Sequence, residues 1–163
     1  MRPTLRVLQS TFKGYNNAMK LSTKSRYSAR ILIELARHHK KSPLQTSRIA
    51  SRQHIPMKYL EQLITILRRA GFIHSFRGPN GGHKLAIDPS DISLGRIVRM
   101  FEGQTDLVQC IASPEKCEMA DECRLRTAWK DATDALYEKL DLISIRSLVE
   151  DPDSVKNCHR DVL

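Results

Sequence analysis

The chain has 163 residues, of which 40% are hydrophobic and 28% charged, with a formal net charge of +9. That balance excludes a disordered chain and suits one compact core with appendages. No apolar run approaches the roughly 20 residues a bilayer-spanning helix needs, and the basic opening lacks the apolar centre of a secretory signal, so a cytoplasmic protein without a membrane partner is expected.

The charge is unevenly placed. Residues 1–103 carry 19 Lys and Arg against 5 Asp and Glu, whereas residues 104–163 carry 8 against 13. A basic front half joined to an acidic back half predicts a surface for polyanions attached to a part with another task. The plainer alternative is a solvated basic face with no partner.

Residues 1–18 hold Arg2, Arg6 and Lys13 and no acid; they read as a flexible basic tail or the product of an upstream start, with Met19 the better beginning. A helix is predicted over Ser22–His39, because Tyr27, Ile31 and Leu35 recur four apart, with Leu32 and Ala36 widening the stripe. Ser22 is a suitable cap, and Lys40-Lys41-Ser42-Pro43 ends the helix. A short second helix, Thr46 to Arg52, buries Ile49 and Ala50, and Gln53-His54 makes a turn. A third starts at Pro56, which needs no N–H at the first helical position. Leu60, Leu63, Ile64 and Leu67 form its apolar face, Lys58, Glu61, Gln62, Arg68 and Arg69 its polar one, and Gly71 takes the left-handed position at its end. This is a helix-turn-helix pattern.

Phe72–Phe76 alternates like a strand, Arg77–Gly82 is a glycine-crowded turn, and His83–Ala86 returns as a second strand. A β-hairpin directly after a recognition-type helix makes a winged helix. Glycine lets the wing backbone approach a surface closely, and Arg77 at its base is long, planar and always charged, suited to a minor groove or a phosphate. The competing use of such a fold is protein contact. Asp88-Pro89-Ser90-Asp91 then breaks the chain, and Ser93 caps a core helix with Leu94, Ile97, Val98 and Phe101, closed by Gly103.

Residues 104–123 show little apolar periodicity and contain Cys110, Cys117 and Cys123; the fourth cysteine is Cys158. A chain without a signal peptide meets a reducing compartment, where metal or redox chemistry is favoured over disulfides. Thiolates select iron–sulfur clusters, zinc or copper(I). Structural zinc prefers tight cysteine pairs; the wider gaps here favour an iron–sulfur cluster, with zinc, a thiol switch and inert cysteines as alternatives. Three cysteines leave a four-ligand site incomplete. Cys158, His159, Glu122, a residue of the partner subunit or a small molecule are candidates for the fourth place.

A long helix is predicted from Arg124 to Asp141, with Leu125, Ala128, Trp129, Ala132, Leu136 and Leu140 as its stripe and Ala135 beside it. Its simplest cover is the same helix of a second chain, giving a homodimer; folding back on its own domain is the alternative. Ser144 caps a short terminal helix with Leu148 and Val149, and the tail after it is expected to be disordered. The expected organisation is a tail (1–18), a winged helix-turn-helix domain (19–103), a cysteine loop (104–123), a dimerisation helix with a short terminal helix (124–150) and a second tail (151–163). The fold class is mainly α with a small β-hairpin wing. There is no phosphate loop and no nucleophile elbow, and the histidines at 38, 39, 54, 74, 83 and 159 lack zinc-hydrolase spacing, so no enzyme is expected.

From Met19 to about Glu150 the sequence resembles the Rrf-two family of bacterial regulators, which includes iron–sulfur cluster regulators and nitric-oxide-sensitive repressors. Four segments carry the likeness: Met19–Tyr27, Ile55–Leu63, Arg77–Gly82 and Cys123–Trp129. The resemblance implies a homodimer through the long helix, a palindromic double-stranded DNA operator, and a cluster near the dimer interface. It implies that Glu61 and its neighbours Lys58, Tyr59 and Gln62 face the major groove, while Arg77, with Gly78, Pro79, Asn80 and Gly81 of the wing, reaches the minor groove. It also implies that Cys110, Cys117 and Cys123 ligate a 2Fe–2S or 4Fe–4S cluster whose status, redox state or reaction with nitric oxide controls operator affinity. Two positions depart from the family's ligand patterns: Arg126 stands three residues after the last cysteine, where a histidine ligand occurs, and Arg26 stands where an aspartate does. The first cysteine gap is one residue longer than usual. A thiol or zinc switch, or an adaptor docking on an enzyme of cysteine metabolism, are the rival functions.

Overall fold

A computed structural model describes residues 21–39, 42–103 and 106–150; the expectations for both tails, for the Lys40-Lys41 helix stop, and for Cys158 and His159 as ligands lie outside the described residues. The first helix, α1, spans Thr23–Ala36. Ser22 caps it in extended conformation, its Oγ accepting from the Ser25 N–H at 3.2 Å. It ends three residues before the expected limit, because the N–H groups of His38 and His39 bond to the carbonyls of Leu35 and Ala36, three residues back, and tighten the last turn.

Helix α2 (Thr46–Gln53) ends on His54 in the left-handed region, φ +51°. Helix α3 (Met57–Arg69) starts one residue later than expected: Pro56 stands outside in extended conformation, its carbonyl accepting from Tyr59 at 3.0 Å and Leu60 at 2.9 Å. Gly71, φ +78°, turns the chain into the hairpin as its position predicts. Strands β1 (Ile73–Phe76) and β2 (Gly82–Leu85) pair antiparallel in the register Ile73↔Leu85 to Phe76↔Gly82. Leu44 adds an isolated bridge to His83 that the sequence did not suggest. After a 3₁₀ turn, η1 (Pro89–Asp91), helix α4 covers Leu94–Glu102, capped by Ser93. The cysteine segment is less irregular than expected, with a one-turn helix α5 (Gln109–Ala112) and a 3₁₀ turn η2 (Pro114–Lys116). Helix α6 (Arg124–Asp141) and α7 (Ile145–Glu150) complete the mainly helical winged-helix fold.

The core joins α1, α2, α3, the hairpin, α4 and α7 through Ile31, Leu32, Ile49, Leu60, Leu67, Phe72, Ile97 and Ile145. Helix α7 packs on α1, and the chain closes behind it: the Ile145 N–H donates to Ile92 O at 2.8 Å and the Leu94 N–H to Ile143 O at 2.9 Å. The segment from α5 to α6 is therefore an excursion that leaves at the end of α4 and returns beside its start. Helix α6 leans on α4 by a polar edge. Arg99 grips Asp141 through two hydrogen bonds of 2.8 and 2.6 Å and lies over the Tyr137 ring, 4.7 Å from its centre. Only Thr133 and Tyr137 of α6 are buried, whereas Leu125 is 66% exposed and Trp129 45%. The stripe foreseen in the sequence is thus uncovered within one chain. No described helix is long and apolar enough to cross a membrane.

Candidate nucleic-acid interface and metal centre

The first half of α3 and the wing share one side of the molecule. Lys58, Glu61 and Gln62 are exposed on α3. Tyr59 is only half-buried, its ring packed edge-on against Tyr27 with centres 6.0 Å apart. It therefore props α3 on α1 as well as bordering the surface. On the wing Arg77, Gly78, Pro79 and Asn80 are exposed; Gly81 is half-buried and closes the tip by donating to Gly78 O at 2.9 Å.

Tertiary folding brings Lys58, Tyr59, Glu61, Gln62, Gly78 and Gly81 around two clefts, whereas Arg77 and Pro79 line neither of them. One, of about 500 Å³, runs between the start of α2, the start of α3 and the wing, lined by Gln45, Ser47, Met57, Glu61, Phe76 and Gly78. The other, of about 580 Å³, lies on the opposite flank of α3 and includes Lys24, Lys58, Tyr59, Glu61 and Gln62. Glu61 borders both. A smaller hollow of about 230 Å³ joins Arg48 to Asn80 of the wing. Lys24, Gln45, Ser47, Arg48 and Met57 were not foreseen as part of this surface. They come from α1, α2, the loop before it and the first residue of α3, and the polar face of α2 is the one sequence signal that could have pointed to Arg48.

Charge is divided by the fold. Arg52 pairs with Glu34 at 2.7 Å, Arg99 with Asp141 at 2.6 Å and Arg146 with Asp88 at 2.7 Å. Among the described residues, Arg48, Lys58 and Arg77 have no carboxylate within ion-pair distance. Arg48, Lys58 and Arg77 are thus open to a polyanion on the side that carries the clefts. Hydrogen bonds from Arg146 and then from Ser90 hold the Asp88 carboxyl far below the usual carboxylate range. Burial pushes Glu102 up, but hydrogen bonds from Ser25 and Ser22 outweigh it and leave a net lowering.

The three cysteines of the loop are free thiols, each half-buried. Cys110 lies on α5, Cys117 directly follows η2, and Cys123 stands at the N-cap of α6 without a capping side-chain bond. Arg126, one turn into α6, ties the segment: Nε donates to Cys110 O at 3.1 Å and Nη1 to Ala120 O at 3.3 Å. Among the described residues, no three His, Cys, Asp or Glu side chains converge in a metal-holding group. The fold places the sulfurs on one loop without gathering them around one point; Glu122 is exposed and joins no such group. The donor set still suits a thiophilic centre, since three soft ligands share one short, anchored segment. Arg126 contributes no ligand, because guanidinium has no lone pair to offer.

The profile of the family described as "Rrf2: Iron-dependent Transcriptional regulator" matches residues 21–151. Over 133 residues the chain is 40% identical to Protein rrf2 of Nitratidesulfovibrio vulgaris, covering 82% of this chain and 89% of that relative. It is 35% identical over 133 residues to the HTH-type transcriptional regulator IscR of Vibrio atlanticus, with 82% and 76% covered. Among solved structures it is similar to CymR of B. subtilis, described as the global cysteine regulator, with a TM-score of 0.69 and 37% identity over 81% of this chain and 97% of that one. It is also similar to T. potens IscR, with a TM-score of 0.64 and 34% identity over 84% and 90%. These relatives are transcriptional regulators, not enzymes.

Proposed function

This chain belongs to the Rrf2 family of transcriptional regulators, and on that premise we propose that it is a homodimeric regulator whose grip on a palindromic DNA operator is set by its cysteine segment. One observation carries the DNA-reading part: α3 and the wing share one cleft, with Lys58 exposed next to it on α3 and Arg77 exposed next to it on the wing. Lys58, Glu61 and Gln62, backed by Tyr59, enter the major groove. Arg77 reaches the minor groove, with Gly78, Pro79, Asn80 and Gly81 close to the backbone. Such a protein works where its operator is, in the cytoplasm.

The uncovered stripe of α6 supports pairing of two chains through Leu125, Trp129 and Leu136. A twofold dimer reads two half-sites related by the same symmetry, hence the palindrome. Cys110, Cys117 and Cys123 would hold an iron–sulfur cluster, which supplies an inorganic centre sensitive to oxidation and to nitric oxide. Arg126 holds the loop that carries them, α6 stands on α4 through Asp141, and Glu102 at the end of α4 accepts from the Ser22 N–H at 2.9 Å and from the Ser25 hydroxyl. A strain at the cysteines therefore has a continuous route to the first helix of the DNA-binding unit.

A second reading is favoured by the sulfurs not converging among the described residues and by the likeness to a cysteine regulator. In it the thiols themselves, zinc, or a docked enzyme of cysteine metabolism supply the signal. The two separate on one experiment. Purified without oxygen, the protein of the first reading is coloured, carries iron and sulfide in stoichiometric amounts, and changes operator affinity when the centre is oxidised or removed. A colourless protein that takes up neither element on anaerobic reconstitution rules the cluster out and leaves the second reading.

A further inference from the structure

His83 stands where the wing, the loop before α2 and α2 itself meet. Its backbone pairs with Leu44 in both directions: the Leu44 N–H donates to His83 O at 3.0 Å, and the His83 N–H to Leu44 O at 2.9 Å. Its ring spans two hydroxyls. Nε2 lies 3.0 Å from Oγ1 of Thr46, the first residue of α2, and Nδ1 lies 3.0 Å from Oγ of Ser75, its register partner on β1. A neutral imidazole offers one donor and one acceptor, and a hydroxyl serves as either, so both contacts are satisfied in either tautomer. Burial first, and then the nearby Arg68 guanidinium, keep the ring below its ordinary pKa and so favour this neutral form. The residue before it is fitted to the approach: a methyl group on Gly82 would lie 2.5 Å from Leu44 O. The same ring faces the cleft that Glu61 and Gly78 border.

We propose that His83 is a positioning residue for DNA recognition: by tying both wing strands to the start of α2, its imidazole fixes the wing relative to α3 so that the two reach one duplex in one register. This rests on the DNA-reading function proposed above. The root of the hairpin is held independently, by Phe72, Ile73 and Leu85 in the core. The backbone pair between Leu44 and His83 also survives loss of the ring. Removing the ring's hydrogen bonds therefore loosens the tilt of the wing about that pair and leaves the fold in place. An element preset in its bound orientation binds more tightly than one that must be ordered on contact.

The test uses the full chain and a DNA duplex enriched by the wild-type protein from a random-sequence library. His83→Leu, Thr46→Val, Thr46→Ser, and the double variant His83→Leu/Thr46→Val are compared by affinity, by hydroxyl-radical and dimethyl sulfate footprints and by thermal melting. His83→Leu and Thr46→Val each weaken binding about tenfold, erase the protections on the wing side, and keep the guanine N7 protections beneath α3. Thr46→Ser binds like wild type, and the double variant is no weaker than either single one, because both remove the same link. Binding within twofold of wild type with an unchanged footprint overturns the proposal. So do additive losses in the double variant, or an even fading of the whole footprint with a lowered melting temperature. If the wild-type chain enriches no duplex, the DNA-reading function falls and the proposal with it.

Discussion

Glu34 is 2% exposed on the inner side of α1, yet its carboxylate is fully engaged. Arg52 donates to Oε1 at 2.7 Å and Gln53 donates to Oε2 at 3.0 Å, so one buried acid ties α1 to the end of α2. Glu34→Ala leaves the Arg52 and Gln53 donors without that partner, and Arg52 is 45% exposed and can turn to water. The expected cost is therefore about 1–3 kcal/mol rather than that of a fully buried pair, while Arg52→Ala leaves the buried carboxylate without its shortest donor and costs at least as much. Urea unfolding of both variants checks this; a cost for Arg52→Ala well below that of Glu34→Ala would mean that burial of Glu34 plays no part. Arg77 is the second residue with a defined expectation. In the proposed function it meets a phosphate or a minor groove, so Arg77→Ala weakens operator binding and lowers the slope of log affinity against log salt by about 0.9 for each phosphate no longer neutralised. Titrations at several salt concentrations measure it, and an unchanged slope would place the wing off the DNA backbone.

At the scale of elements, the junction between α4 and α6 is electrostatic. The hydrogen bonds of Arg99 hold the Asp141 carboxyl below the usual carboxylate range; burial opposes them and Ser93 adds to them. The folded chain thus binds fewer protons at Asp141 than the unfolded chain across that range. The stabilisation is present above the ordinary carboxylate pKa and is lost as pH falls through it toward the lowered folded value. Both partners are about 40% exposed, so the effect is modest and weakens with salt. Wild type loses more stability than Asp141→Asn between pH 5 and pH 3, on the order of a pH unit either side of the usual carboxylate value; parallel curves for the two proteins would refute it. Gly95 belongs to the same junction, since a methyl group there would overlap the Asp141 carboxylate.

For the whole molecule, the decisive feature is the face that α6 leaves open. Trp129 is 45% exposed and Leu136 36%, on a helix that buries only Thr133 and Tyr137 against its own chain. If a second copy covers this face, Leu136→Glu places a charge in the apolar seam and gives a monomer by sedimentation, with little change in the melting of the α1–α4 core. A variant that still sediments as a dimer would move the interface elsewhere. The charge asymmetry belongs to this scale as well: the basic front half forms the clefted surface, and the acidic residues of α5 to α7 lie on the excursion and the return.

The amino-acid sequence by itself determined the local parts of this protein. Ser22 and Ser93 start helices because a hydroxyl one residue outside a helix accepts from an N–H three residues on. Leu60, Leu63, Ile64 and Leu67 mark the buried side of α3 by spacing alone, and the glycine-rich Arg77–Gly82 turn sets the hairpin between Phe72 and Ala86. Such signals lie within a few residues of each other, inside the reach of one helical turn or one tight loop. Tertiary structure alone decided what lies far apart in the chain. Leu44 bridges to His83, Ser22 and Ser25 meet Glu102 across more than 75 positions, Asp141 meets Arg99, and Ile145 returns to the core beside Ile31. These contacts carry no period, because each joins two short segments whose own preferences are already satisfied. They arise only when the apolar faces have packed and brought the segments together.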